Sequence, residues 1–369
     1  MEFLVERDPQ LVVKPRVLVF IYNEGNVSGI TTSMRAIQKS WLKEKYDFQE
    51  IYINEKLGSI VRIKLIMKLV KRIRFIQPDI IHVSGLGLHG FYAVLSARIA
   101  GYTQILTTVH GATIDMIQYP RIKKWMFVNI IEPLTLRLSK VVNTVCIDMA
   151  NKAIIKKNTK SSQMSVIYNV APKIDFLKLQ KNAIKRELGL SSTDILVVYT
   201  GRITDEKGIQ YALDGFSDLN DSNLYFALCG SGKDLDLYKN KYKNIIKSGR
   251  VFFLGNREDV LQILYGSDIF LFPTLHENLS NSLLEACSIG LAIIATNVGG
   301  NPEVIIDGFN GILVPPFNST RIRDSLISLA RNRNLRYQMG NAAQKVSREK
   351  FSPEIIYAQI DRQYKTLIQ

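Results

Sequence analysis

Three stretches of the 369-residue sequence combine residue types that handle anions and hydroxyl groups. The first, Gly201-Arg202-Ile203-Thr204-Asp205-Glu206-Lys207-Gly208, sets a guanidinium and an ammonium between two glycines. Arginine offers a planar fork and lysine a point charge, and both suit a pyrophosphate. The glycines permit a tight turn and close backbone approach. The Gly-Lys-Ser/Thr ending of a P-loop is missing, and a surface loop with incidental charges is the competing reading. The second stretch runs from Pro273 to Cys287 and reads as strand end, polar loop and helix, with Ser280 or Asn281 as cap and Gly290 as stop. It carries two carboxylates, Glu277 and Glu285, eight residues apart. Were the whole stretch helical, that spacing would separate them by ~12 Å, beyond the ~5–9.5 Å of a glycosidase pair. Binding hydroxyls therefore suits them better than acid–base catalysis, and the exposed amides of the helix start favour a phosphate or sugar nearby. The third stretch, Gly299-Gly300-Asn301-Pro302-Glu303, is a glycine turn opening a helix. Its free amides meet a phosphate or a sugar, or it is a plain strand–helix turn.

Other segments carry less. Gly230-Ser231-Gly232 follows an apolar run but lacks the full dinucleotide fingerprint, and an ordinary turn is the favoured reading. Asp234-Leu235-Asp236 lies in a helical pattern that points its acids to nearly opposite sides, against a shared metal ion. No His/Cys spacing indicates zinc. His110, followed by Gly111, ends a strand where its ring could face a cleft, and His82 sits similarly. Each, taken alone, reads as a satisfied structural histidine.

The elements that must position these residues alternate. Val17 to Tyr22 is an apolar strand followed by a turn-rich stretch, Asn23 to Gly29, and a helical pattern from Thr31. Further strands are expected at 78–83, 105–109, 141–147 and 164–168, and then at 195–200, 224–229, 251–254, 269–272 and 292–296. Strands alternating with helices predict parallel sheets covered on both faces. Five strand ends of the second half meet small or turn residues, and in open α/β sheets ligands sit outside the carboxyl ends of strands. Val170-Ala171-Pro172 is the expected linker, dividing residues 1–172 from 173–351.

Composition sets the bounds. The length favours two domains of ~100–200 residues each. Hydrophobic residues at 46% and charged residues at 22% exclude disorder and a small disulfide scaffold. No apolar run approaches the ~20 residues of a bilayer span. The acidic start, Met1 to Asp8, lacks signal-peptide order, and three scattered cysteines, Cys146, Cys229 and Cys287, fit a reducing, cytosolic setting. The net charge of +15 is uneven: residues 1–180 hold +13 of it and residues 181–369 hold +2. That asymmetry points to nucleic acid, a membrane surface, or merely a solvated face.

Together, the Gly201–Gly208 loop, Glu277-x7-Glu285, Gly299 to Glu303, and Thr108-Val109-His110-Gly111 resemble the retaining glycosyltransferases of family 4. The motifs stand in that family's order and span most of the chain. The resemblance implies a GT-B fold, α/β, with two Rossmann-like domains whose parallel sheets face a central cleft. It places the acceptor on domain 1–172 and a nucleotide-sugar on domain 173–351, with the final segment, 352–369, crossing back as a helix. It also implies roles. Arg202 and Lys207 would hold the diphosphate and neutralise charge on the leaving group. Glu277 would bind donor-sugar hydroxyls with the amides of Asn278, Leu279 and Ser280, and Glu285 the ribose. Gly29 would let the first loop approach the phosphate, with Gly201 and Gly230 at the strand ends. Leu254 to Arg257 would border the base, and His110 would lie by the sugar. No metal and no cofactor beyond a UDP- or GDP-sugar substrate is expected. Departures from the family pattern are Ser28-Gly29 in place of Gly-Gly, Asn169-Val170-Ala171 in the linker, and Asn278-Leu279 after Glu277.

The basic excess then finds a reading. Within 60–75, Ile63, Ile66, Met67, Val70 and Ile73 follow helical spacing, with Lys64, Lys68, Lys71 and Arg72 away from that face. Arg121 to Phe127 mixes bases and aromatics. Such helices suit an anionic membrane, where a polyprenyl-linked acceptor resides, or a core-packed helix with a solvated face. The leading expectation is a glycosyltransferase peripheral at the inner face of the plasma membrane, in cell-envelope or exopolysaccharide biosynthesis. A GT-B-type nucleotide-sugar epimerase, needing no acceptor, is one alternative. A non-enzymatic nucleic-acid-binding protein is the other, ranked last because no nucleic-acid module accompanies the charge.

Overall fold

The computed structural model describes residues 14–22, 29–53, 62–115, 120–219 and 221–369. The acidic start 1–8, the turn-rich loop up to Ser28, and residues 60–61 of the basic stretch lie outside the described residues.

Two six-stranded sheets, every pairing parallel, carry the chain. The first holds β1 (Arg16–Tyr22), β2 (Asp47–Ile53), β3 (Ile80–Ser84), β4 (Ile105–Val109), β5 (Val141–Thr144) and β6 (Met164–Val166), in the order β2-β1-β3-β4-β5-β6. The second holds β7 (Ile195–Thr200), β8 (Leu224–Cys229), β9 (Val251–Gly255), β10 (Ile269–Phe272), β11 (Ala292–Thr296) and β12 (Ile312–Val314), in the order β12-β11-β10-β7-β8-β9. The central strands are apolar along their length because helices cover both faces, and β10 and β11 are wholly buried. In the second sheet the strand order reverses between β7 and β10. That is the topological switch point, where a crevice opens beyond the carboxyl ends. The Gly201 loop leaves β7 there and the Pro273 loop leaves β10.

Strands β4, β7, β8, β10 and β11 fall where the sequence places them. Two others are missing from that reading. β2 mixes Asp47, Gln49 and Glu50 with apolar residues because it is an edge strand, partly open to water, and β12 is a three-residue edge. β5 stops at Thr144 rather than 147, since Cys146 caps a new helix, Ile147–Asn151, its sulfur accepting the Met149 amide.

The final helix, Pro353–Ile368, lies against the first sheet. Ile356, Tyr357, Ile360, Tyr364 and Leu367 pack with Val17, Val19 and Ile21 of β1. Each buried Ile or Leu contributes about 1.5–3 kcal/mol relative to exposure, which fastens the helix. Its Tyr364 hydroxyl meets His82 Nδ1 at 2.7 Å, while His82 Nε2 meets the Thr108 hydroxyl at 2.8 Å. His82 is thus a buried structural histidine, neutral because desolvation pushes its pKa down to about 3.

In the helix Ile63–Ile76 the buried stripe is Leu65, Ile66, Leu69, Val70, Ile73 and Ile76. This corrects the expected face: Ile63 and Met67 are exposed, 72% and 50%, beside Lys64, Lys68 and Lys71. The wider stripe through Leu65 and Leu69 rotates the helix and leaves the other two on its flank.

Candidate active site

The site begins with backbone. Gly230, at φ +140°, closes so tightly on the β7 end that a Cβ there would overlap the Gly201 carbonyl oxygen. The Gly201 amide donates to the Cys229 carbonyl at 3.0 Å. The strand-end glycines are therefore a packing requirement of the two adjacent turns. The Gly201–Gly208 loop is braced from below: Asp234 accepts the Asp205 amide at 2.9 Å and the Tyr238 hydroxyl donates to Asp205 at 2.6 Å. Asp234 is the residue before the helix Leu235–Lys241 rather than within it, which gives this acid a structural partner.

The two loops of the switch point are stitched together. Leu275 donates its amide to the Glu206 carbonyl at 2.9 Å. Above that stitch, Lys207 Nζ lies 2.7 Å from Glu277 Oε2, with the two side chains only 14% and 17% exposed. Taking both charges out of water costs several kcal/mol per ion, and their short contact offsets it. Arg202 instead faces solvent and pairs with Glu206 at 2.7 Å. Glu277 also accepts the amide of Asn278 at 3.1 Å. Asn278, Leu279 and Ser280 are buried, and Ser280 caps the helix Asn281–Ile289 by accepting the Leu283 amide at 3.4 Å. Gly290, at φ +87°, ends that helix. Its first turns present Glu285, a half-buried carboxyl that desolvation pushes up to about 7.

Across the cleft, His110 follows β4. Desolvation lowers its imidazole to about 4, so it is neutral at physiological pH. His110, Thr108, Asn143, Tyr168, Asn281 and Glu285 share one cavity of about 300 Å³. Thr32 and Ser33, just after Gly29 at the start of the helix Gly29–Lys39, line the same cavity.

Two of the segments singled out in the sequence carry partners that local spacing does not show. The amides of Gly299 and Gly300 are, on sequence grounds, candidates for a phosphate. Gly300 instead donates to the Asn278 carbonyl at 2.9 Å, and a Cβ on Gly299 would overlap the Glu277 carbonyl oxygen. The glycine pair shapes the Glu277 turn from behind. Arg257 stands beyond β9, where Leu254 is half-buried, but its fork is taken: it donates to both oxygens of Glu187 at 2.6 and 3.0 Å and to both of Asp259 at 2.8 Å. The two carboxylates hold its pKa above the ordinary arginine range.

Sequence reasoning missed the groups that span the cleft. Glu303 accepts the amides of Ile147 and Asp148 at 2.8 and 2.9 Å and the Tyr168 hydroxyl at 3.0 Å. Lys152 reaches Asp115 at 2.5 Å and Asn278 at 3.2 Å. Asn169 donates to the Leu279 carbonyl at 3.0 Å. Partners so far apart in the chain leave no local spacing to read. The one available signal was an acid, Glu303, in the first turn of a helix facing the expected cleft.

With fold and site in place, comparison with known proteins gives the class. Residues 35–171 match the family model described as Glycosyltransferase Family 4, and residues 180–346 that described as Glycosyl transferases group 1. The N-acetyl-alpha-D-glucosaminyl L-malate synthase of Bacillus anthracis is 27% identical over 79% of this chain and 75% of its own. The UDP-Gal:alpha-D-GlcNAc-diphosphoundecaprenol alpha-1,3-galactosyltransferase of Escherichia coli is 26% identical over 79% and 76%. The solved structure of Anabaena Alr3699/HepE in complex with UDP and glucose superposes with a TM-score of 0.77 at 18% identity, covering 95% of this chain and 100% of that one. The chain belongs to the family 4 glycosyltransferases and has their GT-B fold.

Proposed function

We propose that this glycosyltransferase moves a sugar, with retention and without a metal ion, from a UDP- or GDP-sugar to a glycan or polyprenyl-linked acceptor at the membrane surface. The setting is cell-envelope or exopolysaccharide assembly, at the inner face of the plasma membrane. The observation that carries the reading is the Lys207–Glu277 pair at the switch point of the second sheet, with Glu285 in the helix that follows. In this account Lys207 moves from Glu277 to the donor diphosphate, joined by Arg202 from the rim. Glu277, once released, accepts sugar hydroxyls, helped by the turn amides of Asn278, Leu279 and Ser280. Glu285 accepts ribose hydroxyls, and Gly201 and Gly230 form the tightly packed strand-end turns that border the diphosphate. Leu254 and the stem of Arg257 border the base, and Gly29 opens the first loop to the phosphate. His110, neutral, donates or accepts a hydrogen bond at the sugar without placing a cation beside the reaction centre.

The sugar C1–O bond to the phosphate breaks as the acceptor oxygen bonds C1 on the same face. The acceptor proton passes to the departing phosphate oxygen. Fixed cations stabilise charge that develops there without reorganising. No protein nucleophile and no further cofactor takes part.

Four observations bear on acceptor and place. The Escherichia coli relative acts on a diphosphoundecaprenol-linked sugar. The helix Ile63–Ile76 has five basic residues, no acid, and exposed Ile63, Met67 and Phe75. The helix Arg121–Met126 adds three bases with exposed Ile122 and Trp125. No helix among the described residues is long and apolar enough to cross a membrane.

The test is a thermal-shift panel of UDP-, GDP- and ADP-sugars, then nucleoside diphosphate release with the stabilising donor, with and without a polyprenyl-linked acceptor. Transfer predicts release that requires acceptor and a product of the donor's anomeric configuration by NMR. Conversion of the donor without acceptor would mark an epimerase. No stabilisation by any nucleotide-sugar contradicts both.

A further inference from the structure

The loop that carries Glu277 is held from the opposite half of the molecule. Lys152 stands between two short helices, Ile147–Asn151 and Ala153–Asn158, and its side chain is 17% exposed. Its ammonium contacts Asp115 Oδ2 at 2.5 Å and donates to Asn278 Oδ1 at 3.2 Å. Asp115 ends the turn Thr113–Asp115 that follows His110 and Gly111. That turn is anchored in turn by buried Glu132, which accepts the Thr113 amide at 2.6 Å. His276 lies 3.6 Å from the same Asp115 oxygen. Burial raises the Asp115 carboxyl, but the neighbouring His276 ring and the hydrogen bond from Lys152 outweigh it and hold the group below its ordinary range. The Asn278 side-chain amide lies against Gly111 so closely that a Cβ there would sit 3.3 Å from Asn278 Nδ2.

We propose that Lys152, held by Asp115, is a positioning residue that fixes Asn278, and through it the Glu277–Asn278 turn, against the His110–Gly111 strand end across the cleft. The role rests on the transfer reading above. In this role Lys152 acts through Asn278 rather than on the donor or the acceptor itself. Its charge matches the Asp115 carboxylate, and one of its remaining protons is spent on the Asn278 oxygen, so the turn has a defined position relative to His110. The Gly299–Gly300 pair supports the turn from its own half, and Lys152 supports it from the other. Glu303 fastens the same two halves one helix away, on the amides of Ile147 and Asp148. The position matters because a misplacement of ~1 Å at a reaction centre can lower turnover by ~100-fold.

The experiment combines hydrogen–deuterium exchange with kinetics on the full chain, for wild type, Lys152→Met and Lys152→Arg. Lys152→Met is expected to speed exchange at 110–115 and at 274–280 together, with the melting temperature within a few degrees of wild type. It is expected to lower kcat by ~10–100-fold while donor KM moves less than ~3-fold. Lys152→Arg restores most of both. If Lys152→Met does not fold, Asn278→Ala removes the acceptor oxygen instead and should loosen the same two segments. Unchanged exchange at 274–280 in a folded variant overturns the proposal whatever the turnover, and so does faster exchange with unaltered kcat. Faster exchange at both segments in a chain whose wild type turns over no nucleotide-sugar keeps the positioning role and rejects the transfer reading.

Discussion

Glu285 shows what a single side chain in this site contributes. Its carboxyl titrates near about 7 in the folded chain because burial desolvates the ion, against an ordinary value of 4.5. Between those values the native state holds a proton that the unfolded chain has lost, so stability falls as pH rises through that window. Glu285→Gln removes the ionisation. Its stability relative to wild type should rise by about 1–2 kcal/mol from pH 5 to pH 8. Each pH unit between the unfolded and folded values is worth about 1.4 kcal/mol, and the partial exposure of the carboxyl reduces the total. Urea unfolding at several pH values reads this; a difference that stays flat with pH would contradict it. At this scale the sequence is informative about residue types and silent about occupancy. Lys207 and Glu277 are recognisable as chemistry-bearing, but their mutual 2.7 Å contact is not. Arg257 is recognisable as a cation near the β9 end, while Glu187 and Asp259, which fill its fork, come from 70 residues upstream and two downstream. Pairing of this kind is decided by tertiary placement and has no local signature.

The elements are more legible, because periodicity is local. Runs of buried apolar residues mark β7, β8, β10 and β11 over their full extents, and Ser280 and Gly290 mark both ends of the helix that presents Glu285. β2 escapes notice because an edge strand is free to carry Asp47 and Glu50. The helix Ile63–Ile76 stands where its periodicity puts it but faces differently, since Leu65 and Leu69 join Ile66, Val70, Ile73 and Ile76 in the buried arc and leave Ile63 and Met67 exposed. The Gly299 turn illustrates an element-level demand. Its φ is +53°, and no side chain fits between it and the Glu277 carbonyl. Gly299→Ala is expected to cost about 1–3 kcal/mol of stability, the range for a strained non-glycine backbone. It should also shift the Glu277 loop, read as a lower melting temperature and weaker nucleotide-sugar binding in the same variant. A melting temperature within error of wild type would show that the turn relaxes freely.

For the whole molecule, the sequence carries the architecture in two similar halves, each half a parallel sheet, and the comparisons place both halves in one family. The same scale holds the charge. The first half, residues 1–180, carries +13 of the net +15, and the bases of Ile63–Ile76 and Arg121–Met126 stand beside exposed Ile63, Met67, Ile122 and Trp125. Membrane contact through these faces predicts sedimentation with vesicles containing phosphatidylglycerol and little with neutral vesicles. Replacing Lys64, Lys68 and Lys71 by Glu should weaken it by more than the ~1 kcal/mol expected per lost base, and added salt should weaken wild-type binding. Equal sedimentation with neutral vesicles would remove the electrostatic part of the account. Calorimetric titration of UDP and GDP reads whether the switch point of the second sheet holds a nucleoside diphosphate. Wild type should bind one of them saturably at one site, with affinity lost by ~100-fold or more in Arg202→Ala plus Lys207→Ala, as expected when two charged phosphate contacts go. Binding of equal strength to that double variant, or none of either nucleotide to wild type, would contradict it.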